Sequence, residues 1–203
     1  MKINLNNLGK YTVPSDCKNG ICLDIGSNVG NFFSKYNDFF SLIHYYEPVD
    51  ENWEICSSKK YKNVYGFKNA VGSSDDEIVQ LFVHSSQDSG SCRVNNNNKD
   101  WTSEIVADVK TCCIETCLQR IFDESNVDIL DYMKIDCECS EYEFLLGKDL
   151  SMIKYIGMEL HSQLGKEKSK EVYDWVSKTH KPSVDFSWDN NKNIEMLWTN
   201  KSS

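Results

Sequence analysis

Apolar positions along the chain fall into short runs separated by polar turns, and the runs alternate between strand-like and helix-like spacing. Ile21 to Ile25 is apolar except for Asp24 and reads as a first strand. Asn28 to Phe40 then carries Phe32, Phe33, Tyr36, Phe39 and Phe40 at helical spacing. Leu42 to Glu47 reads as a second strand that Pro48 stops, and Asp50 is placed to cap a short helix through Trp53 and Ile55. Val64 to Val71 predicts a third strand. A polar turn at Ser73 to Asp76 leads into the alternating run Ile78 to His84, which suits an antiparallel hairpin.

Ser85 to Asp100 holds almost no apolar residue and predicts a long loop, of the kind that often carries function. Beyond it, Val109 to Ile114 reads as a strand and Glu115 to Ser125 as a helix presenting Leu118, Ile121 and Phe122. Ile129 to Cys137 is the clearest central strand. Ser140 is placed to cap the next helix, with Tyr142, Phe144, Leu145 and Leu146. Tyr155 to Leu160 predicts a buried strand and Lys166 to His180 an amphipathic helix. Val184 to Trp188 and Ile194 to Thr199 read as two last strands turned by Asp189, Asn190 and Asn191. This order predicts an α/β fold, with a mostly parallel central sheet, helices on both faces and an antiparallel C-terminal hairpin strand. An irregular arm over residues 1–20 precedes one domain over 21–203.

Composition narrows the function classes. With 203 residues and 40% hydrophobic content the chain suffices for one well-buried domain. A net charge of -9 sets a repulsive average field against a phosphate backbone, so no nucleic-acid partner is expected. Lys59, Lys60 and Lys62, and Lys166, Lys168 and Lys170, read as solvated helix faces. The first twenty residues lack the apolar stretch of a secretory signal, and no segment reaches the roughly 20 apolar residues of a membrane span. A soluble, cytoplasmic protein is the expectation. Nine cysteines, an odd number, suggest reduced thiols. Neither Cys112, Cys113 and Cys117 nor Cys137 and Cys139 has the paired spacing of a zinc site, so no metal is expected there.

The candidate chemistry starts at the end of the first strand. Gly26 and Gly30 bracket Ser27, Asn28 and Val29 in a turn entering a helix, the position where an open α/β sheet holds a nucleoside. A dinucleotide turn wants further glycines where this chain has Asn28 and Asn31, which disfavours a nicotinamide cofactor. The turn suits S-adenosylmethionine better: Asp24 or Asn28 could hold the ammonium and carboxylate of its methionine moiety. Glu47, a carboxylate closing the second strand, is placed to accept ribose hydroxyls. Asn69 and Ala70, near the end of the third run, lie where an adenine could be held.

Four segments in order, Asp24-Ile-Gly-Ser-Asn-Val-Gly30, Tyr46-Glu-Pro48, Asn69-Ala-Val-Gly72 and Lys134-Ile-Asp-Cys-Glu-Cys-Ser-Glu141, resemble the FkbM-type family of S-adenosylmethionine-dependent methyltransferases. The resemblance covers roughly residues 20 to 161. It implies the Rossmann-like class I methyltransferase fold and O-methylation of a hydroxyl, commonly on a sugar or another small molecule. Carried over, it assigns Gly26, Asn28 and Glu47 to the cofactor and Asp136 and Glu138 to the site wall. One position departs: the family pattern has glycine after the second acid, where this chain has Cys139, so a left-handed backbone there would have to carry a side chain.

Methyl transfer from a sulfonium to oxygen is an in-line displacement that needs alignment and a proton acceptor. Asp136, Glu138 and His161 are the candidate catalytic groups, since they fall at carboxyl ends of central strands. Asp136, Glu138 and Glu159 could instead hold a divalent cation, an arrangement not favoured from sequence. Ser89, Ser91, Arg93 and Glu159 are candidate acceptor contacts, and a neutral or cationic sugar or small molecule is the expected acceptor. The competing readings are a nicotinamide-dependent oxidoreductase and a non-catalytic scaffold that keeps the cofactor pocket.

Overall fold

The computed structural model describes residues 11–84, 92–94, 103–189 and 192–202. β1 (Ile21–Ile25) is buried at every position and is an interior strand of the main sheet. The helix after it, α1 (Asn31–Tyr36), is shorter than the aromatic spacing predicts. Asn28 (φ 51°) and Gly30 (φ 74°) hold the turn in left-handed conformation, so helical dihedrals begin only at Asn31. Then follow β2 (Leu42–Tyr46), as expected, and α2 (Asp50–Ser58), in which Val49 holds the cap position and Asp50 is the first helical residue.

The run Val64 to Val71 is not one strand. It divides into β3 (Val64–Phe67), on the main sheet, and β4 (Ala70–Gly72), which leaves to pair with a different strand. β5 (Ile78–His84) pairs antiparallel with β6 (Cys92–Val94), which lies inside the run expected to be loop, and with β7 (Ser103–Cys113). β7 is longer than the segment read from sequence, Val109 to Ile114. β4, β7, β5 and β6 make a second sheet, which the alternation of strands and helices did not reveal.

Next come α3 (Ile114–Ser125), β8 (Leu130–Ile135), α4 (Glu141–Leu145), β9 (Ile153–Leu160) and α5 (Lys166–Thr179). Ser140 holds the cap position of α4, but its side chain makes no capping bond. The closing hairpin also differs from expectation. β10 (His180–Pro182), not the run Val184 to Trp188, pairs antiparallel with β11 (Ile194–Asn200). Phe186 packs against Tyr173 of α5 and stacks on Trp188, so Phe186 lies against a helix instead of extending a ladder. Asn190 and Asn191 lie outside the described residues.

The seven-stranded sheet runs β10-β11-β9-β8-β1-β2-β3, and only β11 is antiparallel to its neighbours. Alternating side chains divide the core in two. Leu23 and Ile25 pack with Ile121 of α3, Phe144 of α4 and Val176 of α5, while Cys22 and Ile43 pack with Phe33 and Tyr36 of α1. The N-terminal arm joins the second group through buried Tyr11, Val13 and Cys17. Strand order reverses at β1, with β2 on one side and β8 on the other, which opens a crevice at their carboxyl ends. Among the described residues no helix is long and apolar enough to cross a membrane.

Candidate active site

The turn after β1 is tied to both neighbouring strands. Gly26 and Ser27 donate their backbone N–H groups to the Tyr46 carbonyl at 3.0 and 3.2 Å, and Asp136 donates its own to the Ile25 carbonyl at 3.1 Å. Gly26 sits at φ 75°, and a side chain there would collide with the Asp136 carbonyl oxygen, so glycine is required by close approach as well as by dihedral. Gly30, at φ 74°, closes the turn through its N–H bond to the Ser27 carbonyl.

Glu47 follows β2 and is buried, its two oxygens accepting backbone N–H groups from Asn28 at 2.7 Å and Val49 at 2.9 Å. Burial raises its pKa to about 7, against the lowering effect of those bonds. Glu47, Asn69 and Ala70 line a cavity of about 60 Å³ with Gly26, Asn28 and Asp136. A second cavity, of about 330 Å³, shares Gly26, Asn28 and Asp136 and is walled by Tyr11, Phe32 and Lys134. A larger cavity of about 840 Å³, beside Gly20, Asn63 and Asp131, lies at the amino ends of the strands, away from the crevice where ligands of such sheets bind.

Asp24 lines neither of the two crevice cavities. It is fully buried, and its Oδ1 lies 3.1 Å from the Lys134 ammonium, which also donates to the Gly26 and Ile25 carbonyls. Burial raises the pKa of Asp24 despite the ammonium, while at Lys134 the pull of Asp24 and Asp136 outweighs burial and raises it too. Its motif by itself gives Lys134 no role. A cation two residues before Asp136 within an apolar strand was the signal for one.

At the ends of β8 and β9 the structure brings together every acid and base picked out there. His161 is 1% exposed, and its Nδ1 lies 3.0 Å from Glu141 Oε1. Its Nε2 faces Asp136 Oδ1 at 3.5 Å, Glu138 Oε2 at 3.5 Å and Glu159 Oε2 at 3.6 Å. Burial opposes a charge on His161, but the surrounding acids, Glu141 foremost, raise its pKa to about 9. Burial also raises the pKa of Glu138, against the influence of His161. Glu141, which fixes the ring, carried no role in the sequence reading. It stands five residues after Asp136, and only the fold turns it toward His161.

Glu138 and Cys139 both adopt left-handed backbone, at φ 50° and 81°. The chain therefore keeps a glycine-like turn after the second acid while carrying a cysteine there. Ser89 and Ser91, expected to contact an acceptor, lie outside the described residues; Arg93 falls on β6 opposite Phe82.

A nearly parallel sheet with one antiparallel strand next to its edge, and a glycine turn and an acid at its switch point, defines a class I methyltransferase. The particular family follows from comparison. Residues 24–186 match the methyltransferase FkbM domain, and the chain belongs to that family, whose cofactor is S-adenosylmethionine. Among solved structures, a methyltransferase FkbM from Methylobacillus flagellatus KT aligns with a TM-score of 0.52 at 11% identity, over 89% of this chain and 43% of that one. This chain thus spans less than half of that relative's length. An rRNA methylase from Streptococcus thermophilus aligns with a TM-score of 0.47 at 7% identity, over 92% and 90% of the two chains. TrmK from M. capricolum in complex with S-adenosyl-homocysteine aligns at 0.43 and 10% identity, over 92% and 65%. No curated protein sequence matches the chain significantly.

Proposed function

We propose that the protein is an S-adenosylmethionine-dependent O-methyltransferase whose acceptor is a hydroxyl of a carbohydrate or related small molecule. The observation that carries this reading is Glu47, a buried carboxylate bonded to the Asn28 N–H across the switch point of the sheet. Each carboxylate oxygen accepts one backbone N–H and Asn52 adds a side-chain bond, which leaves the carboxylate acceptor capacity for a ribose hydroxyl. Asn69 and Ala70 share that cavity and suit the adenine, while Asn28 and the space beside Tyr11 and Lys134 suit the amino-acid tail. Asp24 serves this site from below, as the partner that holds Lys134 under the turn.

When bound, the cofactor supplies an electrophilic methyl group on a sulfonium. The chain's own residues align the acceptor and take its proton. Glu138, a quarter exposed and next to Asp136, is positioned to be the base, with His161 and Glu141 holding the acids around it in register. The four carboxyl groups around His161 outnumber its one positive charge and disfavour an anionic acceptor by repulsion, and the net charge of -9 adds to that.

The test has two parts. S-adenosylhomocysteine should raise the melting temperature while NAD does not, and label from the donor's methyl group should reach a hydroxyl in a panel of glycans and nucleotide sugars. The reverse pattern of melting shifts sinks the cofactor assignment. Label found on a nitrogen or on RNA sinks the acceptor assignment, and no transfer to any acceptor with intact cofactor binding favours the scaffold.

A further inference from the structure

The cluster at the ends of β8 and β9 contains an unusual vacancy in hydrogen bonding. His161 Nε2 is buried and makes no hydrogen bond among the described residues, although three carboxylate oxygens face it. Nδ1 is paired with Glu141, and a proton on Nε2 would face carboxylate oxygens that stand 3.5–3.6 Å away, beyond a normal charge-assisted contact; a metal ion seated among them would satisfy the ring nitrogen and the acids together.

We propose that Asp136, Glu159 and His161 form the binding site of one divalent transition-metal ion. Their donor atoms all lie within 4.8 Å of one another. Nitrogen and oxygen ligands about 2.1 Å from a metal in tetrahedral array stand about 3.4 Å apart. His161 Nε2 lies 3.5 Å from Asp136 Oδ1 and 3.6 Å from Glu159 Oε2, near that spacing. A charge-assisted hydrogen bond would draw such groups to about 2.7–2.9 Å. Two carboxylates balance a dipositive ion, and the imidazole turns preference from Mg2+ or Ca2+ toward Mn2+ or Zn2+.

The surroundings hold each donor in place. Glu141 fixes the His161 ring, Asn193 Nδ2 donates to the second oxygen of Glu159 at 3.0 Å, and the Asp136 backbone is tied to the Ile25 carbonyl at 3.1 Å. Glu138, also 3.5 Å from Nε2, stays outside the triad and free to take a proton. The ion would draw an acceptor hydroxyl into an open coordination position beside Glu138; this role rests on the methyl-transfer reading, whereas the site itself does not.

Titrating metal-stripped protein with Mn2+, with free ion counted by electron paramagnetic resonance, tests the site. The expected result is one ion per chain, with paramagnetic broadening of the His161 ring signals. Glu159→Gln and His161→Gln should abolish binding, and Glu141→Gln should weaken it about 10–100-fold. Absence of Mn2+ binding and of His161 broadening in folded parent protein overturns the proposal, as does binding unchanged in Glu159→Gln. The broadening experiment needs no variant and so decides the matter if substitutions prevent folding. Mn2+ binding without methyl transfer to any hydroxyl would support the site and count against the enzymatic reading alone.

Discussion

Glu47 and Asn28 are joined by a 2.7 Å hydrogen bond from the Asn28 backbone N–H to Glu47 Oε2, linking the end of β2 to the turn after β1. The bond explains why an acid is tolerated in this interior, and the burial that surrounds it sets up a pH response. With its pKa raised to about 7 from an ordinary 4.5, the folded state keeps a proton that the unfolded state releases. Stability contributed here is complete below about pH 4.5 and is lost as pH rises toward 7, by up to roughly 3 kcal/mol. Urea unfolding at pH 5 and pH 8 should show that decline in the parent and a flatter response in Glu47→Gln; parallel slopes would refute it.

The same substitution bears on the cofactor. Losing charge-assisted acceptance of ribose hydroxyls should weaken S-adenosylhomocysteine about 10–100-fold, the equivalent of 1.5–3 kcal/mol. Isothermal titration measures this directly, and unchanged affinity would remove Glu47 from the site.

Asp24 and Lys134 stand opposite each other in the β1–β8 register, both essentially without exposure. Lys134→Met strands a buried carboxylate and should cost about 3–5 kcal/mol. Asp24→Asn combined with Lys134→Met should cost markedly less than Lys134→Met alone, because no uncompensated charge is left. Additive losses in a double-mutant cycle would mean that the two charges do not stabilise each other.

Cys139 occupies a backbone at φ 81° that glycine adopts without strain. Cys139→Gly should therefore raise stability by about 0.5–1 kcal/mol, a gain readable in the urea midpoint. A lower midpoint would show that the cysteine side chain contributes more than its backbone strain removes.

Glu138→Gln keeps size and removes the proposed base. The turnover number should fall about 10²–10⁴-fold while the affinity for S-adenosylhomocysteine stays within a few-fold. Equal losses in binding and turnover would identify Glu138 as a cofactor contact instead.

Much of the site was legible because its parts are local. A glycine turn between an apolar strand and a helix has few uses, and Glu47, Asp136, Glu138 and His161 all follow apolar runs at strand ends. The departures have physical causes too. Val64 to Val71 is broken by Lys68 and Asn69, a local sign of the interruption, but nothing local shows that Ala70 leaves one sheet for another. Val184 to Trp188 has strand composition, but Phe186 packs on Tyr173 of α5 and the run joins no ladder.

From sequence alone came the alternation of strands and helices, the turn, the family's motifs and the candidate acids Glu47, Asp136, Glu138 and Glu159, because each depends on spacing within a few residues. The tertiary structure decided which acids meet. Parallel strands from distant parts of the chain end at one level, and this places Glu141, Glu159 and Asp136 around His161, sets Lys134 beside Asp24, and lays Tyr11 of the arm against Asp136. Such contacts depend on sheet register and on the burial of both faces, properties of the whole fold that no short run of residues contains.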